Sequence, residues 1–216
     1  MDANEIAQYL KDHPEFFVQY ADLLAQIHIP SPHGDKAISI TERQMFTLRD
    51  KAKQLEAKLA ELIRFGEEND AISDKVHAYS IALAAAADLP AVLRAVYAHL
   101  GGAFAVPHVL VRLWPDGVAE ATPELEATTE GVRAAVAALT HPYCGPTAGQ
   151  ETAEWFGESG GHVRSMAQVA LRRGDDCFGV LLLASEEAHR FYPEMGTLYL
   201  ERIGGLTAAA LGRVLG

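Results

Sequence analysis

Residues 45–62 read MFTLRDKAKQLEAKLAEL, and apolar side chains recur in this stretch at alternating intervals of three and four residues. This spacing is a heptad seam, the pattern of a helix that packs lengthwise against a partner helix. It predicts a long helix, a coiled-coil connector from Thr41 to about Ala87, through which two copies of the chain form a homodimer. The candidate interface residues are Met45, Leu48, Leu55, Leu59 and Leu62, with the small Ala52 between them.

The regular repeat ends at Gly66 and Asn69, where further heptads call for large apolar residues. It resumes in a shifted phase with Ile72, Val76, Tyr79 and Leu83. One interpretation is a tolerated defect, because a glycine in a helix costs about 1 kcal/mol relative to alanine. The other is a weak point at which the state of a following domain alters helix pairing. The seam itself has a plainer alternative as well, an amphipathic face that packs on its own chain.

The composition is that of an ordinary globular protein: 216 residues, 49% hydrophobic and 22% charged, with a formal net charge of −11. The negative charge argues against direct nucleic-acid binding, which depends on lysine and arginine neutralising phosphates. The apolar runs, such as residues 81–87 and 180–184, are short of the ~20 residues of a membrane helix. Because the first five residues are acidic where a signal peptide is basic, we expect a cytoplasmic location.

The reactive side chains follow no catalytic or metal-binding pattern. Cys144 and Cys177 lie far apart in sequence, outside any CxxC spacing, and the nine histidines form no HxxxH or HExxH motif. We therefore expect two free thiols, no metal site and no catalytic residue. The sequence does not identify a cofactor.

The pattern of elements changes from Asp88 onward and predicts an α+β fold, an antiparallel sheet with helices packed on it. We divide the chain into an N-terminal helical segment (1–40), the helical connector (41–87) and a domain (88–216). An irregular loop is expected at residues 141–146. The predicted elements are a helix from Leu89, a strand from His108 to Trp114, a second strand, a helix from Val132 to Leu139, a hairpin of strands Ala167–Leu171 and Cys177–Ala184, and a helix from Met195 to Leu215.

Several stretches resemble a known family. Residues 179–185 and 190–197 resemble the end of a GAF-like domain. The chain as a whole resembles the bacterial DUF484 family, whose members carry a GAF-like domain after an N-terminal helical region. The further stretches that carry this resemblance are His13-Pro14-Glu15-Phe16-Phe17, Ile29-Pro30, Glu42-Arg43-Gln44, Glu68-Asn69-Asp70, Tyr143-Cys144-Gly145 and Met195-Gly196-Thr197.

The resemblance implies a five- or six-stranded antiparallel sheet and supplies no biochemical activity. Members are often encoded beside a Xer-type tyrosine recombinase, which makes such a recombinase a possible protein partner by gene association alone. The family pattern has a basic and an aliphatic residue after Cys-Gly. Pro146 and Thr147 stand there in this chain, which argues against an anion site in that loop.

GAF domains in general bind small molecules between the sheet and the segments that cross it, so a ligand site is a further hypothesis. The alternative is that the aromatic residues fill the core while the arginines pair with glutamates. The sequence patterns of GAF domains that bind cyclic nucleotides or bilins are absent. The ligand-binding candidates are Arg112, Tyr143, Cys144, Trp155, Arg164 and Ser165.

These observations favour a non-enzymatic regulatory or adaptor protein that dimerises through its long helix. Two alternatives stay open. One is a small thiol redox enzyme centred on Cys144, which requires an exposed thiol of low pKa. The other is a structural scaffold whose pocket is filled by its own side chains.

Overall fold

The computed structural model describes residues 2–31, 34–115 and 122–216 and, within these ranges, all side chains except those of residues 24–26, 28–31, 34–42 and 159. The chain forms two compact units, Met1–Glu68 and Asn69–Gly216, called here the N-terminal unit and the C-terminal unit. The boundary between them falls inside a long helix, so the C-terminal unit begins before Asp88.

The N-terminal unit consists of short helices, a strand pair and the first part of the long helix. Strands β1 and β2 pair in antiparallel fashion. None of the unit's described side chains is buried. The long helix α4 confirms the predicted one to within two residues at each end. The elements are α1 (Ala3–Asp12), α2 (Glu15–Gln19), α3 (Ala21–Gln26), β1 (His28–Ser31), β2 (Gly34–Ser39) and α4 (Ile40–Ala85).

The C-terminal unit contains the remainder of α4 and a sheet between two layers. A π-helical turn at His99–Ala103 extends α5, and 3-10 segments lie at Pro123–Leu125 and Glu151–Gly161. The elements after α4 are α5 (Leu89–Ala98), β3 (His108–Leu113), α6 (Glu130–Ala137), β4 (Tyr143–Pro146), β5 (Ser165–Arg173), β6 (Asp176–Ser185) and α7 (Leu198–Leu215).

The sheet has the strand order β3-β6-β5-β4, and every neighbouring pair is antiparallel. The predicted α+β class and the β5–β6 hairpin are therefore confirmed. The described residues form four strands in this sheet, where the family resemblance implied five or six. The sequence analysis expects a second strand directly after the one that is observed as β3. Residues 116–121, which follow β3, lie outside the described part of the chain.

Side chains alternate along each strand, so they point to both faces of the sheet. Both faces are buried, because a layer of other elements packs on each of them. On β6, Leu181 and Leu183 face a layer formed by α5, α7 and the end of α4. Val180 and Leu182 face the opposite layer, which includes α6 and the 3-10 segment at Glu151–Gly161. A central strand buried on both sides reads as a continuous apolar run, which is why the sequence predicts β6 well.

The second half of α4 belongs to the core of the C-terminal unit. Tyr79 is completely buried, Leu83 is 3% exposed, and Val76 packs against the same cluster. In the heptad frame of residues 45–62, Val76 and Leu83 keep the d position, whereas Ile72 and Tyr79 take g in place of a. The phase shift seen in the sequence is thus the point where the apolar stripe of α4 turns to the helix's own domain.

Hydrogen bonds fasten this half of α4 to α7. The Tyr199 hydroxyl donates to the Asn69 carbonyl at 3.0 Å, and the hydroxyls of Tyr79 and Thr207 lie 2.6 Å apart. Burial raises the pKa of Tyr79 to about 12, so its hydroxyl stays protonated at neutral pH. The Arg213 guanidinium donates to the carbonyls of Leu83, Ala84 and Ala86, groups that the end of a helix leaves without a helical partner.

The expected irregular loop at residues 141–146 is wrong for its second half. Residues Tyr143 to Pro146 form the edge strand β4, paired with β5 alone. An edge strand needs hydrogen bonds on one side only, so it accepts a proline at its end. The Tyr-Cys-Gly-Pro sequence of this stretch conceals its strand conformation.

The packing of α7 on β5 gives a test of the fold. A Cβ at Gly204 would lie 2.3 Å from Val169 Cγ1, whereas one at Gly205 meets nothing within 4 Å. We expect Gly204→Ala to lower the free energy of unfolding of the full chain by about 1–3 kcal/mol through overpacking. The matched control Gly205→Ala is expected to raise it by up to about 1 kcal/mol through helix propensity.

Urea unfolding followed by circular dichroism measures both changes. The double variant Gly204→Ala/Val169→Ala removes the clashing methyl and is expected to recover part of the loss. Equal stability of the Gly204→Ala and Gly205→Ala variants would contradict this packing.

Candidate functional site

The six ligand-binding candidates do not converge on one site. Tyr143 and Cys144 are neighbours on β4, so their side chains point to opposite faces of the sheet. Tyr143 packs with the layer of α6, whereas Cys144 is buried in the cluster under α5 and α7. The expectation of an exposed Cys144 in a loop is therefore wrong: the thiol is 7% exposed and lies on a strand.

Arg112 and Trp155 are the two candidates that the fold brings together. The Arg112 guanidinium lies over the Trp155 ring, 4.9 Å from the ring centroid. Its Nη1 donates to Glu126 Oε2 at 2.6 Å and to the Pro123 carbonyl at 2.9 Å. These contacts fit the alternative in which aromatic residues fill the core and an arginine pairs with a glutamate. The charge that an anionic ligand would need is already neutralised by Glu126.

Ser165 and Arg164 lie at the N-terminal end of the interior strand β5. The Ser165 hydroxyl is completely buried, donates to the Glu187 carbonyl at 2.6 Å and accepts from the Phe191 N–H at 3.3 Å. It thereby holds the segment that follows β6. Arg164 is exposed and its backbone N–H donates to the Ser185 carbonyl. These hydrogen bonds, all to backbone groups of β6 and the segment after it, indicate a structural role for both residues.

A cavity of about 320 Å³ lies elsewhere on the α6 face of the sheet. Tyr143 and Gln168 form its floor, because they are direct partners in the β4–β5 register. This volume is at the lower end of the about 300–1,000 Å³ typical of small-molecule sites. The walls are formed by one side of α6 and by the segment 149–152. The lining residues are Gly131, Val132, Ala135, Val136, Leu139, Tyr143, Gly149, Gln150, Glu151, Thr152 and Gln168.

A chain of uncharged polar groups connects the floor of this cavity to its wall. Gln168 is 5% exposed, and its Nε2 donates to Gln150 Oε1 at 2.8 Å. The Thr152 hydroxyl, also buried, donates to Gln168 Oε1 at 3.2 Å. Buried polar side chains of this kind hold a segment in one position and present fixed donors and acceptors to a ligand.

The charge of the lining limits the class of ligand. Among the described lining residues, Glu151 alone is charged, and its carboxylate accepts a hydrogen bond from the Thr129 hydroxyl at 3.1 Å. Recognition of carboxylate or phosphate in proteins relies mainly on arginine or lysine. This cavity therefore fits a neutral molecule with an apolar body and an amide- or hydroxyl-like group.

Sequence reasoning identified Tyr143 and missed the glutamine pair. The one signal in the sequence was Gln168, a polar residue inside the otherwise apolar stretch of β5. Its partners Gln150 and Thr152 lie 18 and 16 residues away, across a segment without regular periodicity. No spacing rule connects such residues before the fold is known.

A larger depression, of about 630 Å³, lies on the side of α6 next to the β5–β6 turn. Its arginines already have partners within the protein. Arg133 lies over the Trp114 ring at 5.7 Å, and Arg172 donates to the carbonyls of Ala137 and Leu139 at the end of α6. These contacts give it the character of a packing surface, so the smaller cavity is the better candidate for a ligand.

The candidate interface residues form an exposed apolar stripe on the first half of α4. Met45, Leu48, Leu55, Leu59 and Leu62 are between 51% and 67% exposed. A leucine gains about 1.5–3 kcal/mol on complete burial, so a stripe of this size in water favours association with another surface.

The family comparison agrees with the sequence resemblance. A family model described as "Protein of unknown function, DUF484" matches residues 1–215. The chain belongs to the DUF484 family. Over 221 aligned residues it is 25% identical to the uncharacterized protein YigA of Salmonella typhimurium strain LT2, an alignment that covers 99% of this chain and 92% of that protein.

Among solved structures, this DUF484 chain is similar to the crystal structure of the A. aeolicus nlh2 GAF domain in an inactive state. The TM-score is 0.45 and the sequence identity is 14%, with coverage of 67% of this chain and 98% of the other.

The described residues of the DUF484 chain include no cluster of three or more histidine, cysteine, aspartate or glutamate side chains placed to hold a metal ion. The described helices include none with the length and apolarity required to span a bilayer.

The burial of Cys144 gives a chemical prediction. Desolvation raises the pKa of its thiol to about 11 from an ordinary value of 9.0. Because the thiolate is the reactive form, we expect Cys144 to react with iodoacetamide at pH 7.5 roughly 100-fold more slowly in the folded chain than in the urea-unfolded chain. The reaction rate should still be rising with pH at pH 10.

Peptide mass spectrometry separates this reaction from that of Cys177, which serves as an internal comparison. The pKa of Cys177 is raised as well, mainly by burial. A Cys144 rate that levels off below pH 8 would contradict the buried environment and favour the thiol-enzyme alternative.

Proposed function

We propose that this DUF484 protein is a non-enzymatic, cytoplasmic regulatory or adaptor protein that forms a homodimer through residues 45–62 of α4. The observation that supports this proposal is the exposure of the heptad stripe, with Leu55 and Leu62 at 67% and 66%. The amphipathic-helix alternative requires the same residues to be covered by their own chain. Exposed leucines at a strict heptad spacing instead match the surface of a second helix of the same kind.

The two halves of α4 differ in burial, and this difference favours a second copy of the chain as the partner. Val76, Tyr79 and Leu83 pack into the core of the C-terminal unit, so this part of the apolar stripe is already covered by its own chain. Residues 45–62 have no such core, since the described side chains of the N-terminal unit are all at least partly exposed. Three heptads contribute marginal stability in a free helix, but here the helix is continued and held by the folded C-terminal unit.

The dimer can be tested by placing charge on the stripe. Leu55→Glu/Leu59→Glu puts carboxylates at neighbouring seam positions, and we expect the mass at tens of micromolar to fall from that of a dimer to that of a monomer. The matched control is Ala57→Glu/Ala60→Glu, which adds the same charge away from the seam. Light scattering and sedimentation measure the mass.

If the control variant remains dimeric, the loss of the dimer in the Leu55→Glu/Leu59→Glu variant is specific to the seam. A parent chain that is monomeric at these concentrations would exclude the dimer. If the Leu55→Glu/Leu59→Glu variant is still a dimer, the interface lies on another surface.

We further propose that the C-terminal unit binds a small neutral molecule in the cavity floored by Tyr143 and Gln168. The supporting observation is the hydrogen-bonded pair of Gln168, on the cavity floor, and Gln150, on its wall, in a cavity without a cationic side chain. As a regulatory device the cavity would act by population shift, with the ligand favouring one arrangement of the domain. The scaffold alternative predicts instead that this space accepts no ligand.

Fragment titrations followed by NMR distinguish these alternatives. We expect uncharged amides such as benzamide to shift the side-chain amide signals of Gln150 and Gln168, and carboxylates of the same shape, such as benzoate, to leave them unchanged. Ala135→Phe narrows the cavity and is expected to abolish the shifts, whereas Ala138→Phe, just beyond the end of α6, is the matched control. Shifts by benzoate alone would contradict the assigned ligand class.

A further inference from the structure

We propose that the two copies pair through residues 45–62 as a parallel, in-register coiled coil that ends at Gly66. This inference rests on the proposed function, because it takes the homodimer as given and assigns its orientation. The orientation determines which residues of the two chains meet.

The seam assigns a heptad position to each residue of the stripe. Met45, Ala52 and Leu59 take the a positions, whereas Leu48, Leu55 and Leu62 take the d positions. Leucine at every d position is typical of two-stranded parallel coiled coils. The next a and d positions are Gly66 and Asn69, which offer no large apolar side chain, so the seam is 18 residues or about 27 Å long.

The residues beside the seam carry the orientation signal. Lys51 and Lys58 occupy g positions, and Arg49 and Glu56 occupy e positions. All four side chains are exposed. None of these four side chains takes part in a hydrogen bond or an ion pair within the described part of the chain. They are therefore free to meet a partner helix.

In a parallel, in-register pair, a g residue faces the e residue of the following heptad on the other chain. Lys51 then meets Glu56 of the partner subunit, and symmetry produces this attractive pair twice. Lys58 meets Ile63 of the partner subunit, an uncharged side chain. The parallel arrangement therefore contains two attractive pairs and no repulsive one among these positions.

In an antiparallel pair with the same seam buried, g residues face g and e residues face e. Lys51 then meets Lys58 of the partner subunit, again twice, and Arg49 meets Glu56 of the partner subunit twice. Two repulsive pairs offset two attractive ones. The charges therefore favour the parallel arrangement.

Reversing one charge separates the two arrangements by the sign of the effect. In a parallel dimer, Lys51→Glu turns both attractive pairs into repulsive ones, and we expect the dimer dissociation constant to rise by roughly tenfold. In an antiparallel dimer the same change would replace the Lys51–Lys58 repulsion by attraction and lower that constant. Lys53→Glu makes the same charge change at a b position, away from the partner, and is the matched control.

Adding Glu56→Lys to Lys51→Glu restores the opposite charges with their signs exchanged. We expect this double variant to recover the affinity of the parent chain, which a general effect of Lys51 on the helix would not produce. Sedimentation equilibrium measures all four dissociation constants. A tighter Lys51→Glu dimer, or a double variant no better than Lys51→Glu alone, would overturn the parallel arrangement.

Disulfide trapping gives a second and independent measurement. In a parallel dimer Leu62 lies opposite its own counterpart, whereas in an antiparallel dimer the two counterparts are about 25 Å apart along the helix. That distance exceeds the roughly 7 Å Cα separation that a disulfide tolerates. We expect Leu62→Cys, and likewise Met45→Cys, to form a covalent dimer on mild oxidation. Ala57→Cys, at an f position on the outer side, is expected to remain unlinked.

The outcomes distinguish a failure of this inference from a failure of the proposed dimer. If the parent chain is a monomer, the proposed homodimer itself is wrong. A dimeric parent whose Met45→Cys and Leu62→Cys variants link only with each other in an equimolar mixture is antiparallel, which overturns the orientation alone. A dimeric parent with no link in any of these variants also overturns it.

Discussion

The structure depends on one helix whose apolar residues serve two different surfaces. Along α4, Val76, Tyr79 and Leu83 pack into the core of their own chain, whereas the residues from Met45 to Leu62 are exposed. Leaving leucines in water is costly, and this cost is the reason to propose that the first half of the helix pairs with another surface. The burial of Tyr79 and Leu83 gives the second half a fixed place in a folded core.

Gly66 stands between these two halves and has two physical interpretations. The helix is continuous through it, and a Cβ added there would meet nothing within 4 Å, so a close approach of another group does not account for the glycine. Beyond it, the Asn69 carbonyl already accepts the Tyr199 hydroxyl. From residue 69 onward, α4 is therefore held against α7, and this limits where the weak point expected from the sequence can lie. Any weak point is confined to a short stretch around Gly66.

The sequence predicted those features that depend on local periodicity. The run of residues 180–184 predicted a buried strand, and the heptads predicted α4 and the change of phase after Gly66. Strand β4 was missed because its stability comes from pairing with β5, which no local pattern of Tyr-Cys-Gly-Pro expresses. The burial of Cys144 followed from that error, since a cysteine on a strand alternates into one face and one in a loop does not.

The candidate cavity was out of reach for a related reason. Its polar floor and wall are hydrogen-bonded across 18 residues of sequence, and Gln150 lies in an irregular segment. Arg112 and Trp155 were both among the ligand-binding candidates, but the sequence did not reveal that Glu126 would pair with the guanidinium. Whether a charged side chain is free to bind a ligand depends on its partners in space, and these are set by loops that periodicity does not describe.

The alternation of β5 places the cavity and the long helix on two sides of one strand. Gln168 faces the cavity, and its neighbour Val169 faces α7, where Gly204 leaves no room for even a methyl group. From α7, Tyr199, Thr207 and Arg213 bond to the second half of α4. These contacts run from the cavity through β5 and α7 to α4, and a depression of about 230 Å³ lined by Val169, Gly204 and Ala208 leaves space beside the contact of β5 with α7. Contiguity alone supplies no coupling energy, which requires that a ligand bind two arrangements of the domain with different affinity.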